Sequence, residues 1–140
     1  MVSRKFKNIR LKKLKTFYSK DGNVIRVFRS KEMNKIKETY FSVINFNKVK
    51  AWKFHKKMSL NLFVSKGKVR FVFFLKNRFK IIEIDEKKNL LLKIPPKIWF
   101  GFKGLKKPNS LILNLADAIH NKNEQIVRDI KYFNYNWNKK

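Results

Sequence analysis

With 140 residues, 44% of them hydrophobic and 15% aromatic, the chain is long enough for one domain with a sizeable core and too apolar to be disordered. It carries 36 lysines and arginines against 9 acids, a formal charge of +27, and no cysteine, which excludes disulfides, thiolate nucleophiles and cysteine-based zinc sites. The apolar runs are far short of a membrane span, and the basic stretch 1–15 holds no signal-peptide core, so a cytoplasmic protein is expected.

The period along the chain is that of strands. The turn pair Asp21-Gly22 precedes a strand over 23–28, and the β-branched and aromatic stretch 37–44 predicts another. Residues 50–55 alternate, with Trp52 and Phe54 on one face and Ala51, Lys53 and His55 on the other. Residues 60–64, Gly67 and 69–75 read as a hairpin. Strands over 78–84 and 90–94 follow, the second stopped by Pro95-Pro96, and 110–115 is the last clear strand. From Asn121 the alternation is lost; 124–130 reads as a short helix, and 132–137 as an aromatic segment packed on the body. Many short strands with evenly spaced turn signals predict a sandwich or barrel.

His55 is the only histidine before His120. A lone imidazole on a strand suits a general base at neutral pH. It is equally what an exposed histidine beside Lys53, Lys56 and Lys57 looks like, with a pKa depressed by those charges. No Gly-x-Ser-x-Gly motif is present, and the glycines at 22, 67, 101 and 104 match no nucleotide fingerprint. The high charge attracts polyanions, but the lysines are spread over the chain, so nucleic-acid binding is the weaker expectation and rests on charge alone.

Four stretches in this order carry a resemblance: Asp21 to Arg29, Lys50-Ala51-Trp52-Lys53-Phe54-His55, Lys93-Ile94-Pro95-Pro96-Lys97-Ile98-Trp99-Phe100-Gly101-Phe102, and Arg128-Asp129 with Trp137 downstream. Together they resemble the cupin-fold sugar-nucleotide epimerases and isomerases, the group of dTDP-4-dehydrorhamnose 3,5-epimerase. The resemblance spans nearly the whole chain. It implies an all-β cupin-type jelly roll (a double-stranded β-helix) over 21–117 with a short helical or irregular tail over 118–140, as one domain and as a homodimer. It implies an enzyme that needs no cofactor and takes a nucleotide-linked 4-keto-6-deoxy sugar, serving surface polysaccharide or deoxysugar synthesis.

In that family a histidine removes the proton next to the ketone, a carboxylate near the C-terminus orients it, and a tyrosine on the opposite side returns the proton. Carried over, His55 is the base and Asp129 its carboxylate. Arg26, Arg70, Lys53 and Lys57 are candidates to hold the pyrophosphate, and Trp99 and Phe100 to wall the pocket. Several positions depart from the pattern. Phe100 stands where the family has a histidine, Arg26 where it has a glutamate, and the stretch Leu115 to His120 lacks the family's tyrosines, with His120 nearby as a substitute. No His-x-His lies near His55, so no catalytic metal is expected. The missing tyrosine leaves a second reading, a non-catalytic relative that binds a nucleotide sugar or glycan.

Overall fold

The computed structural model describes residues 4–140. Two five-stranded antiparallel sheets face each other. The first contains β1 (Arg10–Lys13), β4 (Glu38–Asn45), β6 (Leu60–Lys66), β9 (Leu90–Ile94) and β11 (Asn109–Ala116), in the order β1-β9-β6-β11-β4. The second contains β5 (Val49–His55), β7 (Lys68–Leu75), β8 (Arg78–Asp85), β10 (Trp99–Gly104) and β12 (Gln125–Val127), in the order β12-β5-β10-β7-β8. A small ribbon pairs β2 (Lys15–Phe17) with β3 (Val24–Arg26). This is an all-β jelly roll, and its sheets also take in β1 and β12, which lie outside 21–117. Among the described residues no helix is long and apolar enough to cross a membrane.

The alternation of each strand explains which side chains meet. Leu60, Leu62 and Val64 of β6 face Val69, Phe71 and Phe73 of β7 across the interior, together with Ile44, Ile84, Leu92, Ile94, Ile112 and Phe100. The apolar run of β7 is nearly continuous because the second sheet is covered on its outer face too. Trp52, Val72 and Trp137 form a separate cluster there, joined by Trp99 of β10 and by Phe133 and Tyr135 of the returning C-terminal segment. On the outer face of the first sheet, Leu14, Phe63 and Leu91 pack with Ile25, Val27 and Phe28.

Two expectations are corrected. Residues 60–75 do not form a hairpin: β6 pairs with β9 and β11, while β7 pairs with β8 and β10. The link through Gly67 is a corner between sheets. Gly67 has φ +87°, a Cβ there would overlap Ser110 Oγ, and its N–H donates to the Glu86 carboxylate. Residues 124–130 are not helical either. Gln125, Ile126 and Val127 pair with His55, Phe54 and Lys53, extending the second sheet by one edge strand. The open edge of β5 offers backbone partners, and β-branched Ile126 and Val127 suit a strand better than a helix. Among the described residues after Asn121, only Ile130–Tyr132 makes a helical turn, of the 3-10 type.

Candidate active site

A cavity of about 290 Å³ opens between the sheets, lined by Tyr40, Ser42, Lys50, Lys53, His55, Phe100 and Asn114 together with apolar neighbours. His55 is 6% exposed on its wall, with the Phe100 ring stacked 6.2 Å away. The backbone that presents these groups is irregular. Phe100 pairs with Lys53 and Phe102 with Lys50, so β5 advances three residues where β10 advances two. This bulge rotates Lys50 onto the same face as Lys53 and His55, where strict alternation would have turned it away. It depends on Gly101, whose Cβ would stand 2.5 Å from that of Ala51.

The carboxylate beside His55 is Glu124. Its Oε1 lies 2.6 Å from His55 Nδ1, and its Oε2 accepts the backbone N–H groups of Lys57 and Met58, each at 2.9 Å. Burial opposes ionisation of Glu124, but these three hydrogen bonds outweigh it and hold the carboxyl below its usual range. Burial pushes the His55 pKa down, and the hydrogen bond and charge of Glu124 only partly offset it. The pair is therefore an ionised carboxylate and a neutral imidazole. Glu124 accepts the Nδ1 proton, which leaves the Nε2 lone pair free to act as a base.

The pairing of β12 with β5 delivers Glu124. Gln125 lies opposite His55, and Lys56 N–H donates to Glu124 O at 2.9 Å. Asp129, the expected partner, is used otherwise: its Oδ1 accepts from Lys131 N–H at 2.9 Å and caps the 3-10 turn. Asp117 likewise accepts from Ser59 N–H, at 2.8 Å.

The opposite wall comes from the first sheet. Tyr40 of β4 and Asn114 of β11 are cross-strand partners, and Asn114 Nδ2 donates to Tyr40 Oη at 2.7 Å. Burial raises the Tyr40 pKa, opposed by that hydrogen bond, so the phenol is neutral. Its oxygen is already an acceptor, so its own proton is available to a ligand. Lys53 is half-buried with no carboxylate paired to it among the described residues, and burial, with Lys50 next, lowers its pKa.

Of the residues singled out from sequence, the structure brings His55, Lys53 and Phe100 to this cavity. Arg26 does not line it; it lies over the Phe17 ring in the β2–β3 ribbon. Arg70 is on the outer face of the second sheet, where it binds Glu83 at 2.7 Å and Lys139 O at 2.6 Å, so it anchors the C-terminal segment rather than a pyrophosphate. Trp99 is on that face too, against Phe54, Tyr132 and Phe133, because it is one residue out of phase with Phe100. His120 is exposed, and its backbone N–H donates to Glu38. Among the described residues no three His, Asp or Glu side chains converge to hold a metal ion.

Sequence reading missed Tyr40, Ser42, Lys50, Asn114 and Glu124. Glu124 looked like one acid in a polar tail. Tyr40 and Asn114 sit on inward phases of their strands, a signal present in the alternation but shared with ordinary core residues.

No curated protein matches the chain in sequence. Among solved structures, a dTDP sugar isomerase from Desulfovibrio desulfuricans G20 is 25% identical with a TM-score of 0.83, covering 94% of this chain and 91% of its own. A dTDP-4-dehydrorhamnose 3,5-epimerase from Sulfolobus tokodaii is 22% identical with a TM-score of 0.77, covering 91% and 80%. A histidine-to-asparagine variant of the 3,4-ketoisomerase QdtA from Thermoanaerobacterium thermosaccharolyticum, in complex with TDP-4-keto-6-deoxyglucose, is 22% identical with a TM-score of 0.73, covering 85% and 86%. At 22% identity these last two share the fold. The family model described as "FdtA: WxcM-like, C-terminal" matches residues 7–137, nearly the whole chain, and the chain belongs to that family.

Proposed function

We propose that this protein is a sugar-nucleotide isomerase or epimerase that acts on a nucleotide-linked 4-keto-6-deoxy sugar by removing a proton next to the ketone. The observation that carries this reading is the His55–Glu124 pair on the wall of an inter-sheet cavity. The likeness to a dTDP sugar isomerase along nearly the whole of both chains supports it. The cavity is at the small end of ligand pockets (about 300–1,000 Å³), so it suits the sugar ring, with the nucleotide reaching out of the mouth.

The chemistry follows from the groups present. The 4-ketone acidifies its neighbouring C–H bonds, because the electron pair left behind delocalises onto the ketone oxygen as an enolate. His55 Nε2 accepts the proton and becomes cationic beside the Glu124 carboxylate, which stabilises that charge. The Lys53 ammonium and the Tyr40 O–H are the donors available to the enolate oxygen. Return of a proton to the same carbon from the other face inverts it. Protonation at the former carbonyl carbon, with loss of the neighbouring hydroxyl proton, moves the ketone.

The proposed setting is cytoplasmic deoxysugar supply for surface polysaccharide, with the chain as a homodimer. In support of the dimer, β4 is an edge strand with Phe41 61% and Val43 45% exposed.

The test is deuterium wash-in from D2O with a dTDP-linked 4-keto-6-deoxyglucose, followed by NMR. Deuterium at C3 or C5, or at C4 after ketone migration, is expected, and His55→Asn is expected to abolish it. Tight binding without exchange at any of these carbons would leave a binding protein in place of the enzyme.

A further inference from the structure

A second groove, of about 640 Å³, lies on the outer face of the first sheet and shares no lining residue with the catalytic cavity. β6 separates the two: Leu60 and Leu62 face the cavity, whereas Asn61 and the preceding Ser59 line the groove. Five cations line it. Arg10 and Lys12 come from β1 and Lys93 from β9, while Lys31 and Lys35 come from the short helical turn Ser30–Met33 and the residues after it. All five are exposed, so a ligand reaches them. Arg10 and Lys93 are direct cross-strand partners, a position in which like charges repel. Among the described residues none of the five forms a salt bridge, whereas Lys68 and Arg70 on the second sheet share Glu83 and Lys106 has Glu86. The groove's two acids leave it cationic: Glu32 attracts Lys12 without salt-bridge contact, and Asp117 accepts from Ser59 N–H.

The groove also has an apolar side. Phe28 and Ile36 are half-buried there, with Leu91 packed behind Phe28. An anion set between Arg10 and Lys93 turns their repulsion into attraction; the guanidinium offers a fork to phosphate oxygens, and the lysines add point charges. An aromatic ring carried by that anion would cover Phe28 and Ile36. We propose that this groove is a second binding site, for a nucleoside diphosphate, with the diphosphate among Arg10, Lys12 and Lys93 and the base against Phe28 and Ile36. Its volume falls within the range of small-molecule pockets (about 300–1,000 Å³), which suits one nucleotide better than a polymer. The site stands apart from the His55 cavity and does not depend on proton abstraction there.

Methyl NMR during a dTDP titration tests it, because each site has its own isoleucine: Ile36 in the groove and Ile112 in the cavity. The titration is run at ~0.15 M salt, where scattered surface charges are largely screened. A saturable shift of the Ile36 methyl is expected. In the double variant Arg10→Gln/Lys93→Gln that shift should need about tenfold more dTDP or higher, since two charge-assisted contacts are lost. The control Lys20→Gln/Lys122→Gln removes two exposed lysines outside the groove and should leave it within about twofold. Shifts confined to Ile112, or equal losses in the two double variants, would overturn the assignment. So would a ten-residue oligothymidine that moves Ile36 where dTDP does not, which would make the face a nucleic-acid surface. If Arg10→Gln/Lys93→Gln does not fold, the Ile36 and Ile112 shifts of the unmodified protein decide alone. Ile36 shifts without any at Ile112 would uphold the groove and count against the sugar-nucleotide reading of the cavity, so the two readings fail separately.

Discussion

Replacing Glu124 with glutamine is the sharpest test of the proposed base, because the site dictates how the amide must sit. Two backbone N–H groups, from Lys57 and Met58, converge on Oε2 at 2.9 Å. They require an oxygen there, so in Glu124→Gln the amide NH2 must occupy the Oε1 position, 2.6 Å from His55 Nδ1. It would donate to Nδ1 and force the imidazole proton onto Nε2, the atom that must be bare. The variant also loses the carboxylate charge that stabilises the imidazolium. Together these predict a fall of about 10³-fold in the deuterium-exchange rate, or about 4 kcal/mol of transition-state stabilisation. Folding should suffer far less, by about 1 kcal/mol, because both backbone hydrogen bonds persist. The assay is exchange by NMR, paired with thermal melting and a long-range ¹⁵N spectrum of the imidazoles. With two histidines in the chain, a His120→Gln protein leaves His55 alone in that spectrum. Near-normal exchange in Glu124→Gln, or an Nε2–H tautomer in the unmodified protein, would refute the reasoning. Asp129→Asn is the control and should leave exchange within about twofold, since that side chain caps a turn.

The His55 pKa is lowered by burial, so its neutral, active form persists below the ordinary 6.5, and the acid limb of a kcat/KM–pH profile should have its midpoint under that value. The same shift means that stability supplied by the neutral imidazole is complete above 6.5 and declines as pH falls below it; Glu124, depressed from 4.5, loses its contribution only at lower pH, so denaturant titrations should show the decline beginning with His55. Gly101→Ala would drive a methyl against Ala51, expected to cost about 1–3 kcal/mol in urea unfolding and to slow exchange by disturbing the Lys50–Lys53–His55 face. Trp137→Ala would empty the place beside Trp52, whose ring is 5.3 Å away, at about 3–5 kcal/mol by chemical denaturation. Phe41→Glu, on the exposed edge strand, should convert the proposed dimer to monomers in light scattering without loss of secondary structure.

The strands were legible where one local pattern decided them. Residues 37–44, 50–55, 78–84, 90–94 and 110–115 each alternate or run apolar, and each lies on a strand within one or two residues of the expected ends. The failures share another cause. Residues 124–130 have no strong pattern of their own, and Gln125–Val127 among them become a strand because β5 has an unfilled edge. Residues 60–75 looked like a hairpin because the turn at Gly67 is local, whereas the sheet each arm joins is chosen by partners far along the chain. His55 was visible as a candidate, but its carboxylate was not: Asp129 and Glu124 are five residues apart in a tail that periodicity cannot orient.

Composition and alternation alone determined that this chain is a cysteine-free, strongly basic β-protein with an imidazole near its middle, because strand period and residue chemistry are properties of short segments. Tertiary structure alone decided which acid holds that imidazole, that a bulge over Gly101 turns Lys50 toward the cavity, and that Tyr40 and Asn114 face the base from the other sheet. Those relations join residues as far as 74 positions apart, and they exist only once the hydrogen-bond register of both sheets and the burial between them are set.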